Sequence, residues 1–281
     1  MEYVIAIPSY NRAKEIQAKT LKCLRKCGID DDKITVFVAN TEQEQLYKNE
    51  GVMYHMVVGK IGLVPQREFI CNYYPKGQYI VLLDDDIEKI DLSLTTYTTL
   101  DIFIKCAFEK TLELGAYIWG VYPVFNPFFR KPREEISTCL NYIVGAFYGI
   151  INRPQNNNIN LSLTAEDGQK EDVERTIRYF IEDGIVVRFN KVGFITKYYG
   201  SSGGLGTFKD RIKPMFDASN KLKNAFPNYG NVFIKKNGMT EFKLKKIKAT
   251  RSTSLEDNAS IPHLVCEPPQ AVPCDFRVPI S

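Results

Sequence analysis

Histidine is nearly absent from this chain: His55 and His263 are its two copies in 281 positions. A metal centre built on imidazoles has almost no material here. No stretch approaches the roughly 18 to 20 consecutive apolar residues that cross a bilayer, so no membrane-spanning helix is expected. The seven cysteines (Cys23, Cys27, Cys71, Cys106, Cys139, Cys266, Cys274) are odd in number, and none forms a CxxC pair or joins a histidine at zinc-ligand spacing. They read as free thiols in a reducing compartment. The chain enters a strand pattern at once, without a leader pattern, which adds to the expectation of a cytoplasmic protein. There is no internal repeat. The run 197-KYYGSSGGLG-206 lacks a P-loop lysine and does not follow a first strand, so it is neither phosphate-loop nor dinucleotide fingerprint.

What is present suits an α/β core. Of the 281 residues 44% are hydrophobic, and Lys and Arg outnumber Asp and Glu by only 37 to 33. That balance permits a polyanionic partner without requiring one. Short apolar runs alternate with helical patterns: a strand at Tyr3 to Ile7, a helix from Ala13 to Cys27 closed by Gly28, a strand at Ile34 to Ala39, a polar helix at Glu42 to Lys48. A strand at Val52 to Val58, a helix at Gln66 to Tyr73 and a strand at Tyr79 follow. Four such steps with short connections predict a doubly wound sheet.

The second half is less regular. It predicts a helix over Thr99 to Leu114, a strand over Ala116 to Tyr122, a Pro- and Phe-rich loop from Pro123 to Pro132, and an apolar segment, 142-YIVGAFYGII-151. A polar loop, Arg153 to Gly168, reads as mobile. A helix from Glu171 to Glu182 precedes a β-hairpin over Ile185 to Tyr199, turning at Asn190 and Lys191. Beyond Arg251 five prolines predict an extended tail. The expected organisation is one domain over 1–250, with halves 1–98 and 99–250, and a tail over 251–281.

The stretch 79-YIVLLDDDIEKI-90 delivers Asp84, Asp85 and Asp86 to the end of a strand buried on both faces. Such close carboxylates are comfortable in open solvent or around a cation. In open α/β sheets that edge is where ligands bind. The first strand ends there too, in 7-IPSYNR-12, where Tyr10 suits a nucleobase face, Asn11 its hydrogen bonds and Arg12 a phosphate. Ordinary helix capping by Ser9 or Asn11 is the competing reading.

Strand-PSYNR-helix, strand-Asn40, 62-GLVPQREFI-70 and strand-Asp84-Asp85-Asp86 occur in the order that resembles the nucleotide-binding half of GT-A glycosyltransferases. More narrowly, Tyr3 to Gly206 resembles the TET/JBP-associated glycosyltransferase family. That family includes the kinetoplastid base J glucosyltransferase and phage enzymes that glycosylate hydroxymethylated pyrimidines in DNA. The resemblance implies a GT-A α/β fold with a mostly parallel, Rossmann-like central sheet and flanking helices. It also implies a UDP-sugar donor and a divalent metal, Mn2+ or Mg2+, on Asp84 and Asp86, the first also facing the ribose. Pro8, Tyr10, Asn11, Arg12, Asn40, Arg67, Gly145 and Lys197 are the implied donor contacts; 143-IVGAFYGI-150 resembles the glycine loop beside the donor sugar, where Gly145 and Gly149 would let the backbone approach a ligand closely. Glu171 and Asp172 in 170-KEDVERTIRYFIEDG-184 resemble the xED motif, whose aspartate is the acceptor-side base. Transfer by inversion needs such a base, because an alcohol attacks poorly until its proton is leaving. GT-A enzymes often place a metal-binding histidine after the second hairpin strand, and this chain has none there, which leaves the metal short of one protein ligand.

The implied acceptor is a hydroxymethylpyrimidine in DNA, inside a cell or an infected host cell. Phe125, Phe128, Phe129, Arg130, Lys131 and Arg133 form an aromatic and basic cluster suited to it, and 235-KKNGMTEFKLKKIKATR-251 is a second basic run. A glycan-building transferase with a sugar acceptor, and a nucleic-acid-binding module without turnover, are the rival readings. A nucleotidyltransferase would want a Gly-rich basic loop where PSYNR stands. His55 and His263 receive no role.

Overall fold

The computed structural model describes residues 1–153, 158–166, 168–196 and 208–250. Lys197, the glycine-rich run up to Gly206 and the Pro-rich tail lie outside these residues. The opening strands are β1 (Tyr3–Pro8), β2 (Ile34–Val38), β3 (His55–Val58) and β4 (Tyr79–Leu83). The connecting helices are α1 (Ala13–Ile16), continued by a π-helical turn (Gln17–Leu21) into α2 (Lys22–Lys26), then α3 (Thr41–Asn49) and α4 (Leu63–Tyr73). Helix α4 begins before Gln66 because Pro65 falls in its first turn, where a missing N–H costs no intrahelical bond.

The later elements are β5 (Lys89–Asp91), α5 (Leu100–Glu113), β6 (Ile118–Val121), α6 (Pro127–Arg130), β7 (Ile136–Ser137) and β8 (Phe147–Ile151). Helix α7 (Glu171–Asp183), β9 (Val187–Phe189), β10 (Gly193–Ile195), α8 (Phe208–Ala225), β11 (Gly230–Ile234) and β12 (Thr240–Leu244) complete the described chain.

One sheet runs through both halves in the order β3-β2-β1-β4-β8-β6-β9-β7. The block β3-β2-β1-β4 is parallel; β8 runs antiparallel to β4 and β6, and β9 is parallel to β6. The carboxyl ends of β1, β2, β4, β6 and β9 therefore share one edge. Alternate residues serve opposite faces: Val81 and Leu83 join a core with Ile5, Val36 and Trp119, while Ile80 and Leu82 join one with Phe37, Ile118 and Tyr148. Each such fully buried side chain contributes about 1.5 to 3 kcal/mol of transfer free energy, which is why β4 reads as a continuous apolar run.

Three expectations are corrected. The hairpin expected over Ile185 to Tyr199 does not form among its described residues: β9 lies in the large sheet, whereas β10 pairs with β5 in a separate ribbon. The chain cannot fold back at Asn190 and Lys191 because other partners take that turn. The Asn190 amide donates to the Glu135 carbonyl at 2.8 Å, and Tyr122 donates to the Val192 carbonyl at 3.1 Å. Gly149 does not clear space for a ligand; a Cβ there would lie 2.3 Å from the Trp119 indole, so it serves packing. Within the polar loop expected to be mobile, Leu163 and Thr164 donate backbone bonds to the buried Glu174 carboxylate. The basic run from Lys235 carries the turn, at Gly238 with φ +85°, and the second strand of an antiparallel ribbon, β11 against β12.

Candidate functional site

The acid turn after β4 is fastened from below by the π-helical turn. Thr20 is fully buried, donates to the Asp84 carbonyl at 2.7 Å and accepts the Ile87 amide at 2.8 Å. One hydroxyl thus closes both ends of the triplet. The extra residue per turn of a π-bulge is what re-aims a side chain in this way. Sequence reasoning missed Thr20, since a threonine inside a helical pattern carries no signal of its tertiary partner.

The three acids have different surroundings. Asp85 is buried, accepts Ser9 Oγ at 2.6 Å and Arg12 Nη1 at 2.9 Å, and so ties the turn after β1 to the turn after β4. Asp86 receives Arg12 Nη1 at 3.4 Å and the Thr196 hydroxyl. Asp84 receives Arg67 Nη2 at 2.9 Å while keeping 37% of its side chain open. Its carboxyl is pushed up to about 7 by burial first, then by Asp86, Asp85 and Glu171 against the pull of Arg67. Solvent on the open side screens part of that push.

Around the first turn, Asn11 takes a left-handed φ of 55°, which asparagine tolerates better than most residues. Its amide donates to Gln43 Oε1 at 2.8 Å, and Gln43 Nε2 returns a bond to Asn11 Oδ1 at 2.6 Å. Asn40 caps α3 by accepting the Gln43 amide at 3.0 Å. The carbonyl oxygens of both asparagines are therefore engaged within the protein. Pro8 ends β1 beside Phe37, and Tyr10 presents a ring that is 43% exposed. Arg12, expected to meet a phosphate, pairs with Asp85 and Asp86.

Arg67, another implied donor contact, is buried. It is 4% exposed; Nη2 reaches Asp84 and, at 2.8 Å, the Gly145 carbonyl, while Nη1 pairs with Glu171. Glu171 is held on its other oxygen by Arg175 Nη1 at 2.5 Å. Burial alone would raise the Glu171 carboxyl, but Arg175 and Arg67 outweigh it and lower the value. Arg175 lies 3.9 Å from the Tyr148 ring centroid. A Cβ on Gly145 would meet Glu171 Oε1 at 2.7 Å, Arg67 Nη1 at 3.0 Å and Asp172 Cβ at 3.3 Å. Gly145 is thus the gap through which the two acid groups approach.

Asp172 stands beyond that gap, half-buried. Its Oδ2 accepts the Tyr142 hydroxyl and the Gly145 amide at 3.4 Å, and its Oδ1 accepts the Val173 amide at 2.9 Å. Burial, then the neighbouring Glu171 charge, raises its carboxyl above the ordinary aspartate value. Lys170, in front of α7, holds a left-handed φ of 62° and pairs with Glu241 of β12. The ribbon is thereby anchored to the start of α7.

No protein-family model matches the sequence, and no curated protein matches it. Solved structures do. The mannosyltransferase PcManGT from Pyrobaculum calidifontis, in complex with GDP-Man and Mn2+, superposes with TM-score 0.50 at 13% identity, over 80% of this chain and 64% of that one. The chain has the GT-A fold. Residues 1–349 of TarS from S. aureus give TM-score 0.48 at 14% identity, over 80% of this chain and 66% of that one. Glucosyl-3-phosphoglycerate synthase from Mycobacterium tuberculosis, in complex with Mn2+, UDP and phosphoglyceric acid, gives 0.45 at 10%, over 88% and 87%. The chain spans less than two thirds of the mannosyltransferase and of the TarS fragment.

In this GT-A fold the donor set fits a divalent cation. Asp84 keeps part of its side chain open and Asp86 follows two residues on in the same turn, and carboxylate oxygens are the ligands that Mg2+ and Mn2+ prefer. Among the described residues no three His, Cys, Asp or Glu side chains could by themselves hold a metal. Other oxygens would have to complete the shell.

The aromatic and basic cluster divides on inspection. Arg130 is fully buried, pairs with Asp91 and donates to the Phe125 carbonyl at 3.0 Å. It is an anchor, and the expectation that it tracks phosphate is corrected: a guanidinium inside the core cannot reach a polymer. Phe128 and Phe129 remain 73% and 49% exposed, and Lys131 and Arg133 lie at the surface beside Glu134 and Glu135.

Proposed function

We propose that the chain moves a sugar, glucose by first choice, from a UDP-sugar to the hydroxyl of a 5-hydroxymethylpyrimidine in DNA, with inversion. The observation that carries the transferase reading is the meeting of the two acid groups at Gly145: Arg67 bonds Asp84, Glu171 and the Gly145 carbonyl, while Asp172 Oδ2 accepts the Gly145 amide. One group suits a donor's diphosphate, the other an acceptor's hydroxyl. Asp84 and Asp86 would hold the cation, which when bound supplies Lewis-acid neutralisation of the diphosphate.

The chain's own residues do the rest. Tyr10 offers an exposed face for the donor base, beside the turn that Asn11, Gln43 and Asn40 stiffen. Lys197 stays a candidate for the diphosphate. Glu171, saturated by two guanidiniums, is poorly suited to take a proton. Asp172, its carboxyl raised by burial, then by Glu171, is the better base.

Support for DNA as acceptor lies in the exposed Phe128 and Phe129, with Lys131 and Arg133, on the loop after β6 at the same sheet edge. A base must leave its stack to meet such a site. A second reading, a carbohydrate acceptor, is favoured by the loss of Arg130 from that surface and by Glu134 and Glu135, which offset its charge.

A scan of radiolabelled UDP-sugars against hydroxymethylcytosine DNA, hydroxymethyluracil DNA, plain DNA and oligosaccharides separates these. DNA glycosylation should weaken steeply with salt, with a log-log slope of about −0.7 to −0.9 per phosphate contacted. Lys131→Ala with Arg133→Ala should flatten that slope. Transfer to oligosaccharide alone, without salt dependence, would install the carbohydrate reading.

A further inference from the structure

Tyr142 lies outside the implied motifs, yet its hydroxyl is bonded to Oδ2 of Asp172. Its ring is half-buried and packs against cores that include Trp119 on one side and Val173 and Ile177 on the other. The bond therefore joins a ring fixed by packing to a carboxylate fixed by α7. Gly145 donates its amide to the same oxygen at 3.4 Å. A carboxylate oxygen has two lone pairs in its plane, and Oδ2 spends both on these partners. Oδ1 accepts the Val173 amide alone among the described residues and keeps one lone pair.

We infer that Tyr142 is a positioning residue for Asp172, occupying Oδ2 with Gly145 so that Oδ1 is the atom that takes the acceptor's proton. This rests on the reading of Asp172 as the base. The step balances within the substrates: the acceptor O–H breaks and its proton passes to Oδ1. The acceptor oxygen bonds the anomeric carbon as the anomeric carbon–oxygen bond breaks, and the nucleoside diphosphate leaves with that electron pair. A carboxylate free to rotate about its Cβ–Cγ bond would lose part of its time to unproductive orientations.

The charged groups around Asp172 are Glu171 and Arg175 on its own helix and Lys170 just before it, with Arg67 of α4 across Gly145. Tyr142 is the hydroxyl donor from outside the helix, and its bond favours the ionised form. Removing the hydroxyl must therefore move the Asp172 titration to higher pH. A purely structural role for the ring would leave it where it is.

The test is 13C NMR titration of the full chain labelled in its aspartate carboxyls, with Asp172→Asn assigning the signal. In Tyr142→Phe the Asp172 midpoint should rise while the unfolding temperature stays near wild type. A 3-fluorotyrosine at position 142, a stronger donor that keeps the fold, should move the midpoint down. Where transfer is measured, Tyr142→Phe should lower kcat about tenfold, the scale of one hydrogen bond to a charged group. Donor KM should hold, and the acid limb of the pH profile should follow the NMR midpoint. An Asp172 midpoint unmoved by both changes overturns the inference. Shifted midpoints in a protein whose Asp172→Asn form transfers normally would sink the base reading, and the Oδ1 assignment with it.

Discussion

Two acid groups face each other across Gly145, and they are built differently. Asp84, Asp85 and Asp86 follow a buried strand in a turn, whereas Glu171 and Asp172 open a helix. In each group one neighbour is sealed into the structure: Asp85 by Ser9 and Arg12, Glu171 by Arg67 and Arg175. The other members keep open lone pairs or open surface. Adjacent carboxylates in sequence thus have opposite surroundings, one sealed by guanidiniums or hydroxyls and one left with open lone pairs or surface. The difference is in what remains unneutralised. The strand-end group retains an acidic excess that suits a cation, while the helix group leaves a single carboxylate raised by burial and by its sealed neighbour.

The sharpest way to break this comparison is Asp86→Asn. Transfer should fall by about a thousandfold or more, the scale of losing electrostatic stabilisation at the leaving group. Circular dichroism and the unfolding temperature should stay near wild type. Undiminished turnover would remove the cation reading of the strand-end group.

Glu171→Gln should act on stability first. Arg67 and Arg175 would be left as buried cations facing a neutral amide, and breaking such an ion pair costs about 3 to 5 kcal/mol. Urea unfolding measures this; a stable variant with lost turnover would mean that Glu171 is itself chemical.

Asp172→Asn reverses that pattern. Folding stability and donor affinity should hold while kcat falls about a hundredfold, as for loss of a general base. Calorimetric titration with the nucleoside diphosphate separates the two effects, since a collapse in donor affinity would move Asp172 to the donor side.

The smallest effect belongs to Thr20→Val, which keeps the shape and deletes the hydroxyl that closes the acid turn. Metal-dependent donor affinity should drop about tenfold, on the scale of losing the buried hydrogen bonds to the Asp84 carbonyl and the Ile87 amide, and Thr20→Ser should restore it. Equal affinity in the valine variant would show that the turn holds its shape without these bonds.

Much of the first half of the sheet was legible from the chain. Alternating apolar runs announced β1 to β4, and Asp84 to Asp86 came to the expected edge because a strand carries its last residues there. The errors arose where partners are distant in sequence. Arg130 was taken for a surface cation because nothing nearby reveals Asp91, 39 positions away. The supposed hairpin at Asn190 failed because Glu135 and Tyr122 hold that turn. Nothing near Arg67, an implied donor contact, reveals its partner Glu171, 104 positions on.

The sequence by itself determined the strand and helix periods, the acid-bearing edge and the near absence of imidazole ligands, since these follow from local composition and a period of two or 3.6 residues. Only the tertiary structure decided which carboxylate in each group is sealed and which stays open. That choice depends on guanidiniums, hydroxyls and a glycine gap brought from elsewhere in the chain, and desolvation acts on a group through its three-dimensional neighbours rather than its sequence neighbours.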